Sequence, residues 1–367
     1  MKSFVKCFVS ILCLVTLFFV SCKPTVHTNE PADSTENVDT TTPVETKDPV
    51  SYTVTYVAKR GTAPNSITVN SDTVLTESQL PVITNDKYTF SGWYDGNKRV
   101  EPGKYKVKKD VSLVARWDFD EPLTFEVIYA GDGIVICNPW STLKYSKNGG
   151  ELIAAESIIP VEEGDIVCLY AERSENTSKS AMTIGGRAVC YMYGNIMSLV
   201  TLNSNTGEWD PDATSVTEFA LKNLFNCSYS YNHDTKDLYL PAVTLANSCY
   251  AGMFFCCYGI NRAPALPATT LAEYCYSSMF AASNVIQGPD LLATTLVKGC
   301  YDAMFMSCRR LSYIKCLATD FPEGSSATAG WIVDASQSGT FIKAKGIEAW
   351  SRDENGIPSG WTVQDAE

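Results

Sequence analysis

With 367 residues, the chain is long enough for two or three domains, and its hydrophobic content of 45% is ordinary for a folded protein. Its 41 acidic residues outnumber the 29 basic ones and give a net charge of −12 at pH 7. This balance argues against nucleic-acid binding, because contacts with phosphates need a basic surface. We expect a multidomain, β-rich α+β fold.

Residues 1–22 have the features of an export signal. Lys2 and Lys6 precede an apolar run from Cys7 to Val20, which is short for a transmembrane helix and ends in Ser21-Cys22. The segment resembles the signal peptide of a bacterial lipoprotein, which implies that Cys22 is lipidated and that the membrane is a partner. An uncleaved membrane anchor or an ordinary signal peptide is the alternative.

Residues 23–50 contain four prolines, six acidic residues and almost no large apolar side chain. Such a segment buries too little surface to fold, so it predicts a disordered tether. By analogy with sorting in Gram-negative bacteria, Lys23 after the lipidated cysteine favours the outer membrane or the cell surface within the cell envelope.

Residues 51–118 predict a small mixed α/β unit. YTVTY at Tyr52, YTFSGWYDG at Tyr88 and VSLVARW at Val111 are aromatic-rich strands, and TESQLP at Thr76 suits one helical turn. These motifs resemble the internalin B-repeat, or Listeria–Bacteroides repeat, which implies a β-grasp-like fold used in bacterial stalk or adhesion modules. The large aromatic residues are expected in the core rather than in a sugar-stacking platform: Trp93, Tyr94 and Trp117.

Residues 119–205 alternate short β-branched segments with glycine-rich turns such as Asn148-Gly149-Gly150, which suits a hairpin. This spacing favours a small β-sandwich or roll.

Residues 206–316 contain three near-copies that begin at Leu240, Leu266 and Leu291, preceded by a degenerate copy from Phe219. A period of this length predicts a solenoid whose units bury their apolar faces by stacking. Each copy is interpreted as an extended piece followed by one or two helical turns, because residues spaced by four share a helix face. The expected core ladder contains Leu245, Leu271, Leu296, Cys249, Cys275, Cys300, Met253, Met279, Met304, Phe254, Phe280 and Phe305.

The segments MFFCC, MFAAS and MFMSC in these copies resemble the leucine-rich repeats of bacterial surface proteins of the BspA type. Eleven cysteines follow Cys22, an odd number, and Ser283 stands where the neighbouring copies have Cys257 and Cys308. Buried thiols are therefore favoured, and a disulfide between neighbouring coils is the alternative. Residues 317–367 are interpreted as a cap that carries Trp331, Trp350 and Trp361.

No catalytic motif competes with the repeats. The chain has two histidines and lacks HExxH, paired Cys-x2-Cys, a Walker lysine and Gly-x-Ser-x-Gly. Acidic clusters near Glu162 and Asp210 leave a carbohydrate-active enzyme or carbohydrate-binding protein as an alternative, and EWDPD at Glu208 is read as a solvated loop rather than a Ca²⁺ site.

We expect no cofactor and no metal. The predicted function is a non-catalytic, lipid-anchored envelope protein whose repeats serve adhesion or bind a protein or glycan. A structural envelope protein without a specific ligand is the other alternative.

Overall fold

The protein folds mainly into β-strands and turns. The computed structural model describes residues 50–96, 98–172 and 181–367, so the predicted signal peptide with Cys22 and nearly all of the predicted tether lie outside the described residues. Across those ranges there are 19 strands and three 3-10 helices, Glu77–Gln79, Asp118–Asp120 and Ile196–Leu199, but no α-helix. The β-rich prediction is confirmed, and its α component is wrong. None of the described helices has the length and apolar character to cross a membrane.

The first sheet has the strand order β2-β1-β5-β3-β4, in which β1 and β5 run parallel and the other pairs antiparallel. Its strands are β1 Ser51–Val57, β2 Ile67–Asn70, β3 Phe90–Asp95, β4 Lys98–Arg99 and β5 Val111–Trp117. Trp93 and Trp117 are buried, and their indole N–H groups donate to the carbonyls of Pro81 and Ala58. Burial makes these two rings unavailable for stacking on a sugar.

Tyr94 corrects the predicted core of this unit. Its ring is partly exposed, and the Arg116 guanidinium lies 4.4 Å from the ring centroid. Successive side chains of a strand point to opposite faces, so Tyr94 faces away from the core that its neighbour Trp93 enters.

Two further sheets follow. One has the order β14-β13-β6-β11-β8-β9 with β15 also paired to β13, and the other has the order β10-β7-β12. Their strands are β6 Thr124–Tyr129, β7 Ile134–Cys137, β8 Lys144–Lys147, β9 Ile153–Ala154, β10 Ile158–Ile159, β11 Ile166–Tyr170, β12 Thr183–Gly185, β13 Val189–Asn195, β14 Ser230–Asn232 and β15 Leu238–Tyr239. Because β14 and β15 come from the repeat region, this sheet crosses the boundary predicted at residue 205, and one hydrophobic cluster continues from Leu123 to Trp361.

Five turn-rich segments stack on one another in the repeat region. We call them turn layers 1 to 5, and they comprise residues 217–228, 246–257, 272–283, 297–308 and 324–335. Layer 5 falls in the segment predicted as a cap. Every layer has a residue with positive φ at its third, seventh and eleventh positions, for example Tyr274, Ser278 and Ala282 in layer 3.

Backbone hydrogen bonds explain why these layers are not helices. The N–H of Cys249 donates to the carbonyl of Ala246 in its own layer, at 3.3 Å, whereas the N–H of Tyr250 donates to the carbonyl of Cys275 in the next layer, at 3.0 Å. This alternation repeats along layers 1 to 4. A helix would direct every peptide group along its own axis, whereas a positive φ every four residues turns alternate groups towards the neighbouring layer.

The predicted helical turns of the repeats are therefore wrong. The spacing of four between Cys275 and Met279 does bring both side chains inward, but it reflects a turn period of four residues rather than a helical period of 3.6.

Extended segments that follow the layers form a parallel sheet of order β16-β17-β18-β19. These strands are β16 Gln287–Leu291, β17 Tyr313–Cys316, β18 Thr340–Lys343 and β19 Thr362–Asp365. Lys315 pairs with Asp290 and Lys343 pairs with Asp365, each at 2.7 Å. Opposite charges thus lie side by side on adjacent strands, which favours this register.

Arg60 connects the first sheet to the residues that follow it. Its guanidinium lies 5.1 Å from the Tyr88 ring centroid and 4.6 Å from that of Phe119, and it pairs with buried Asp120 at 3.3 Å and with Asp212. A cation between two rings and beside a buried carboxylate gains from both interactions.

Replacing Arg60 by alanine is expected to lower the free energy of unfolding by about 1–2 kcal/mol, because the change leaves Asp120 buried without this cation. Urea denaturation followed by tryptophan fluorescence measures the change. Arg187→Ala is the control, since that side chain is 82% exposed and lies 3.8 Å from Asp132. Equal effects of the two changes would contradict the role given to Arg60.

Candidate functional site

The predicted ladder residues form the interior of the turn layers. All three cysteines, all three methionines and all three phenylalanines of the ladder are 0% exposed: Cys249, Cys275, Cys300, Met253, Met279, Met304, Phe254, Phe280 and Phe305. Leu271 and Leu296 are also buried, but Leu245 is only partly buried and packs against the edge of the cluster. These residues hold the layers together and are not available to a ligand.

Aromatic rings stack from layer to layer within this interior. Phe280 lies 5.4 Å from Phe254 and 5.8 Å from Phe305 between ring centroids, with interplanar angles of 3° and 5°. A second column runs through Tyr250, Tyr276 and Tyr301 at 5.8 and 6.2 Å. Equivalent aromatic residues of successive copies thus stack into two continuous columns of offset rings.

The interior thiols are unreactive at neutral pH. Burial raises the pKa of Cys249 to about 12 and that of Cys300 to about 11. At neutral pH they are neutral thiols, and the thiolate is the reactive form. The described cysteines are all free.

A groove lies on the outer face of layers 1 to 3. It has a volume of about 470 Å³. Its lining comes from the positive-φ residues and their neighbours: Lys222, Asn223, Asn226, Ser248, Ala251, Gly252, Phe255, Tyr274, Ser277 and Ser278. We call it the layer groove.

Small residues create the floor of the layer groove. Ala251 and Gly252 are buried at its centre, and Gly252 has a φ of +62°. A Cβ at Gly252 would lie 2.2 Å from Oδ1 of Asn223, so the Asn223 side chain lies directly over this glycine. Phe255, Tyr274 and the longer side chains of layer 1 rise around the floor.

The layer groove presents polar atoms that have no partner in the chain. Within the described residues, the side-chain amide of Asn223 and the hydroxyls of Ser248 and Ser278 make no hydrogen bond to the protein. Backbone groups of the layers are already paired with one another, so recognition depends on these side chains. Lys222 is the one charged residue of the lining. The groove therefore suits a polar ligand of low charge.

Two of the acidic residues considered for catalysis, Asp165 and Asp212, take part in a turn and in ion pairs. Asp165 accepts hydrogen bonds from Nδ2 of Asn148 at 2.7 Å and from the N–H of Glu162 at 2.8 Å, and it pairs with Lys147 at 3.2 Å. The Glu162 N–H and Asn148 amide hydrogen bonds hold the pKa of Asp165 below its usual range. Asp212 pairs with Arg60, so these acids stabilise the fold around them.

Metal coordination has no candidate in the described part of the chain, where no group of three or more His, Cys, Asp or Glu residues is placed to hold an ion. The lining of the layer groove contains no cysteine, histidine or carboxylate. Its side chains can hold a ligand by hydrogen bonds and aromatic contact.

Sequence reasoning missed the layer groove. None of its residues belongs to the predicted ladder, because the search followed the recurring inward residues. The available signal was the pair Ala251-Gly252, which stands where layer 1 has the larger Lys222-Asn223 and therefore leaves a depression beside it.

No curated protein and no solved structure matches the chain. Residues 52–116 match the family model of the Listeria-Bacteroides repeat domain. The match covers less than a fifth of the 367 residues, and the turn layers lie outside it. It confirms the prediction that this part of the chain, including β1 to β5, is a Listeria–Bacteroides repeat.

Proposed function

We propose that this protein is a non-catalytic, lipid-anchored component of a bacterial cell envelope whose turn layers bind a protein or a glycan. The layer groove supports this proposal most directly. It combines unpaired polar side chains with two aromatic rings on a stacked interior that is rigidly packed. The Listeria–Bacteroides repeat is a module of surface proteins, which agrees with an exposed location.

The layers themselves are proposed to be a short leucine-rich-repeat solenoid of the BspA type with an atypical end. Repeating inward residues and layer-to-layer hydrogen bonds support a solenoid. At the far end Trp331 stacks on Trp350, with centroids 5.5 Å apart and an interplanar angle of 9°, and Trp361 is buried. These tryptophans would cover the apolar surface of the last layers, as a cap does.

Anchoring is proposed to occur through Cys22, with residues 23–50 as the tether and the outer membrane or cell surface as the location. The test is metabolic labelling of the full chain with a radiolabelled fatty acid in a Gram-negative host. Wild type is expected to carry label and to sediment with membranes, whereas Cys22→Ser is expected to lose both. Label on Cys22→Ser would contradict lipidation at this residue.

Binding through the layer groove is expected to be lost when its walls are removed. The full chain in detergent micelles is immobilised, and binding of collagen, fibronectin, mucin and a panel of neutral glycans is measured. Tyr274→Ala and Asn223→Ala are each expected to weaken binding at least about tenfold, a difference of about 1.4 kcal/mol. Tyr129→Ala is the matched control, since this tyrosine is 56% exposed and lies outside the groove.

Each outcome discriminates between functions. Binding of one probe that falls in the groove variants supports the proposal, and the probe identifies a protein or a glycan ligand. Failure of every probe to bind favours a structural envelope protein without a specific ligand. Binding that the groove variants leave unchanged would place the site elsewhere on the chain.

A further inference from the structure

Two cysteines stand apart from the buried ladder. Cys227 is exposed and Cys256 is partly exposed, and both occupy the eleventh position of their layers, with φ of +57° and +54°. By contrast, the ladder thiols of Cys249, Cys275 and Cys300 are fully buried. The two outer thiols are therefore accessible to reagents that cannot reach the interior.

Cys227 and Cys256 are direct neighbours across the interface of layers 1 and 2. The N–H of Cys227 donates to the carbonyl of Phe255, which immediately precedes Cys256, at 2.9 Å. Burial raises the pKa of Cys256, and the nearby Cys227 adds to this rise. Ring centroids of Phe225 and Phe254, which are equivalent residues of the same two layers, lie 5.5 Å apart, and a layer spacing of this size falls within the range of Cα separations that a disulfide spans.

The seventh positions of the same two layers show which way the side chain from layer 1 points. Asn223 and Gly252 lie four residues before Cys227 and Cys256 respectively, and Oδ1 of Asn223 reaches within 2.2 Å of the Cβ position at Gly252. At the equivalent position, Sγ of Cys227 lies 3.1 Å from Oδ1 of the adjacent Asn226, and rotation about the Cα–Cβ bond would turn it towards Cys256. The repeat thus places the two cysteines at equivalent positions of adjacent layers.

We propose that Cys227 and Cys256 form a disulfide that links turn layers 1 and 2 under oxidising conditions. The oxidant is a second disulfide, such as oxidised glutathione. The Cys227 thiolate attacks one sulfur of the oxidant and releases a thiolate, which leaves a mixed disulfide on Cys227. The Cys256 thiolate then attacks Sγ of Cys227 and releases the second thiolate. Two protein thiols are oxidised, and the oxidant is reduced to two thiols.

The order of these steps follows from exposure. Cys227 is the more exposed thiol, whereas burial and the neighbouring Cys227 raise the pKa of Cys256. A more exposed thiol meets the oxidant first, and the intramolecular step then proceeds between residues of adjacent, hydrogen-bonded layers. Both steps use thiolates, so the rate is expected to rise with pH.

The link would act on the layer groove. Asn226 and Phe255 immediately precede the two cysteines and belong to the groove lining. A disulfide between the residues that follow them fixes this side of the groove across two layers. The link goes beyond the proposed binding function and does not depend on it.

The test uses the full chain, purified in detergent under reducing conditions and then exposed to oxidised glutathione. Native protein is alkylated with N-ethylmaleimide before and after oxidation, and peptides are mapped by mass spectrometry without reduction. A cross-linked peptide pair containing Cys227 and Cys256, lighter by two hydrogen atoms than the separate peptides, is expected. Both cysteines should be alkylated before oxidation and neither afterwards.

Two variants keep the result interpretable. Cys227→Ser is expected to abolish the cross-linked pair and to leave Cys256 open to alkylation after oxidation, whereas Cys137→Ser changes another exposed cysteine and should leave the pair intact. Tryptophan fluorescence checks that each variant is folded. Persistent alkylation of Cys227 and Cys256 after oxidation, or pairing of Cys227 with a different cysteine, would overturn the proposal.

Discussion

Replacing Phe280 by alanine is expected to lower the free energy of unfolding by about 3–5 kcal/mol, the usual range for removing a buried phenylalanine ring. Phe280 is 0% exposed and lies in the middle of a stacked column, with centroids of Phe254 and Phe305 at 5.4 and 5.8 Å. Its loss removes contacts with two layers at once and leaves a cavity that the hydrogen-bonded backbone of the layers cannot close. Urea denaturation followed by tryptophan fluorescence measures the change.

Two comparisons make this result specific to the column. Phe280→Leu retains most of the volume and is expected to lose less than half as much stability as the alanine variant. Tyr258→Ala removes an aromatic side chain that is 58% exposed, and we expect it to change stability by about 0.5 kcal/mol or less. If the alanine variants of Phe280 and Tyr258 were equally stable, the columns would not be what holds the layers together.

The sequence revealed which residues face the interior of the layers. Cys275 and Phe280 are buried because each of their near-copies needs a neighbour to cover its apolar side, and equivalent residues of stacked copies must then meet. Register follows from the repeat period alone. The match to the Listeria–Bacteroides repeat was likewise visible from local motifs, since a single short unit contains all of its own strands.

The backbone of the layers could not be inferred in the same way. A spacing of four between inward residues suits a helix face and also a chain of four-residue turns. What separates the two is a positive φ at Tyr274, Ser278 and Ala282, and none of these residue types signals that conformation. The hydrogen bonds that stabilise it reach the next layer, 24 residues along the chain in the case of Tyr276 and Cys300, beyond any local pattern.

The layer groove and the fifth layer could not be predicted either, because both depend on how the backbones of the layers are placed. The layer groove forms where Gly252 passes beneath Asn223, a contact between layers that becomes visible only once their backbones are placed. Trp331 lies in a fifth layer because the N–H of Phe305 donates to its carbonyl at 2.7 Å, although the surrounding sequence does not repeat the earlier copies. The fifth layer thus stacks in the same way as the earlier layers although its sequence no longer resembles theirs.

Gly299→Ala is expected to destabilise the protein by about 2–5 kcal/mol, because overpacking adds about 1–3 kcal/mol to the strain of a left-handed conformation, about 1–2 kcal/mol. Gly299 has a φ of +59°, and a Cβ there would lie 2.2 Å from Cε1 of the Tyr274 ring. Backbone strain from a positive φ does not by itself require glycine here, since Tyr274 and Ser248 adopt positive φ at the equivalent positions of their layers. The collision with the ring is what sets Gly299 apart.

A double-mutant cycle separates these two contributions. Tyr274→Ala/Gly299→Ala removes the colliding ring, so most of the loss caused by Gly299→Ala should disappear on the Tyr274→Ala background, leaving a coupling of about 1–3 kcal/mol. Gly330→Ala is the matched control within the layers: its φ is +56°, but the nearest atom to a new Cβ, Cγ2 of Val333, is 3.5 Å away. It should therefore show only the strain of the backbone, about 1–2 kcal/mol. Equal destabilisation by the two glycine replacements, or additivity in the cycle, would show that the ring does not lie over Gly299.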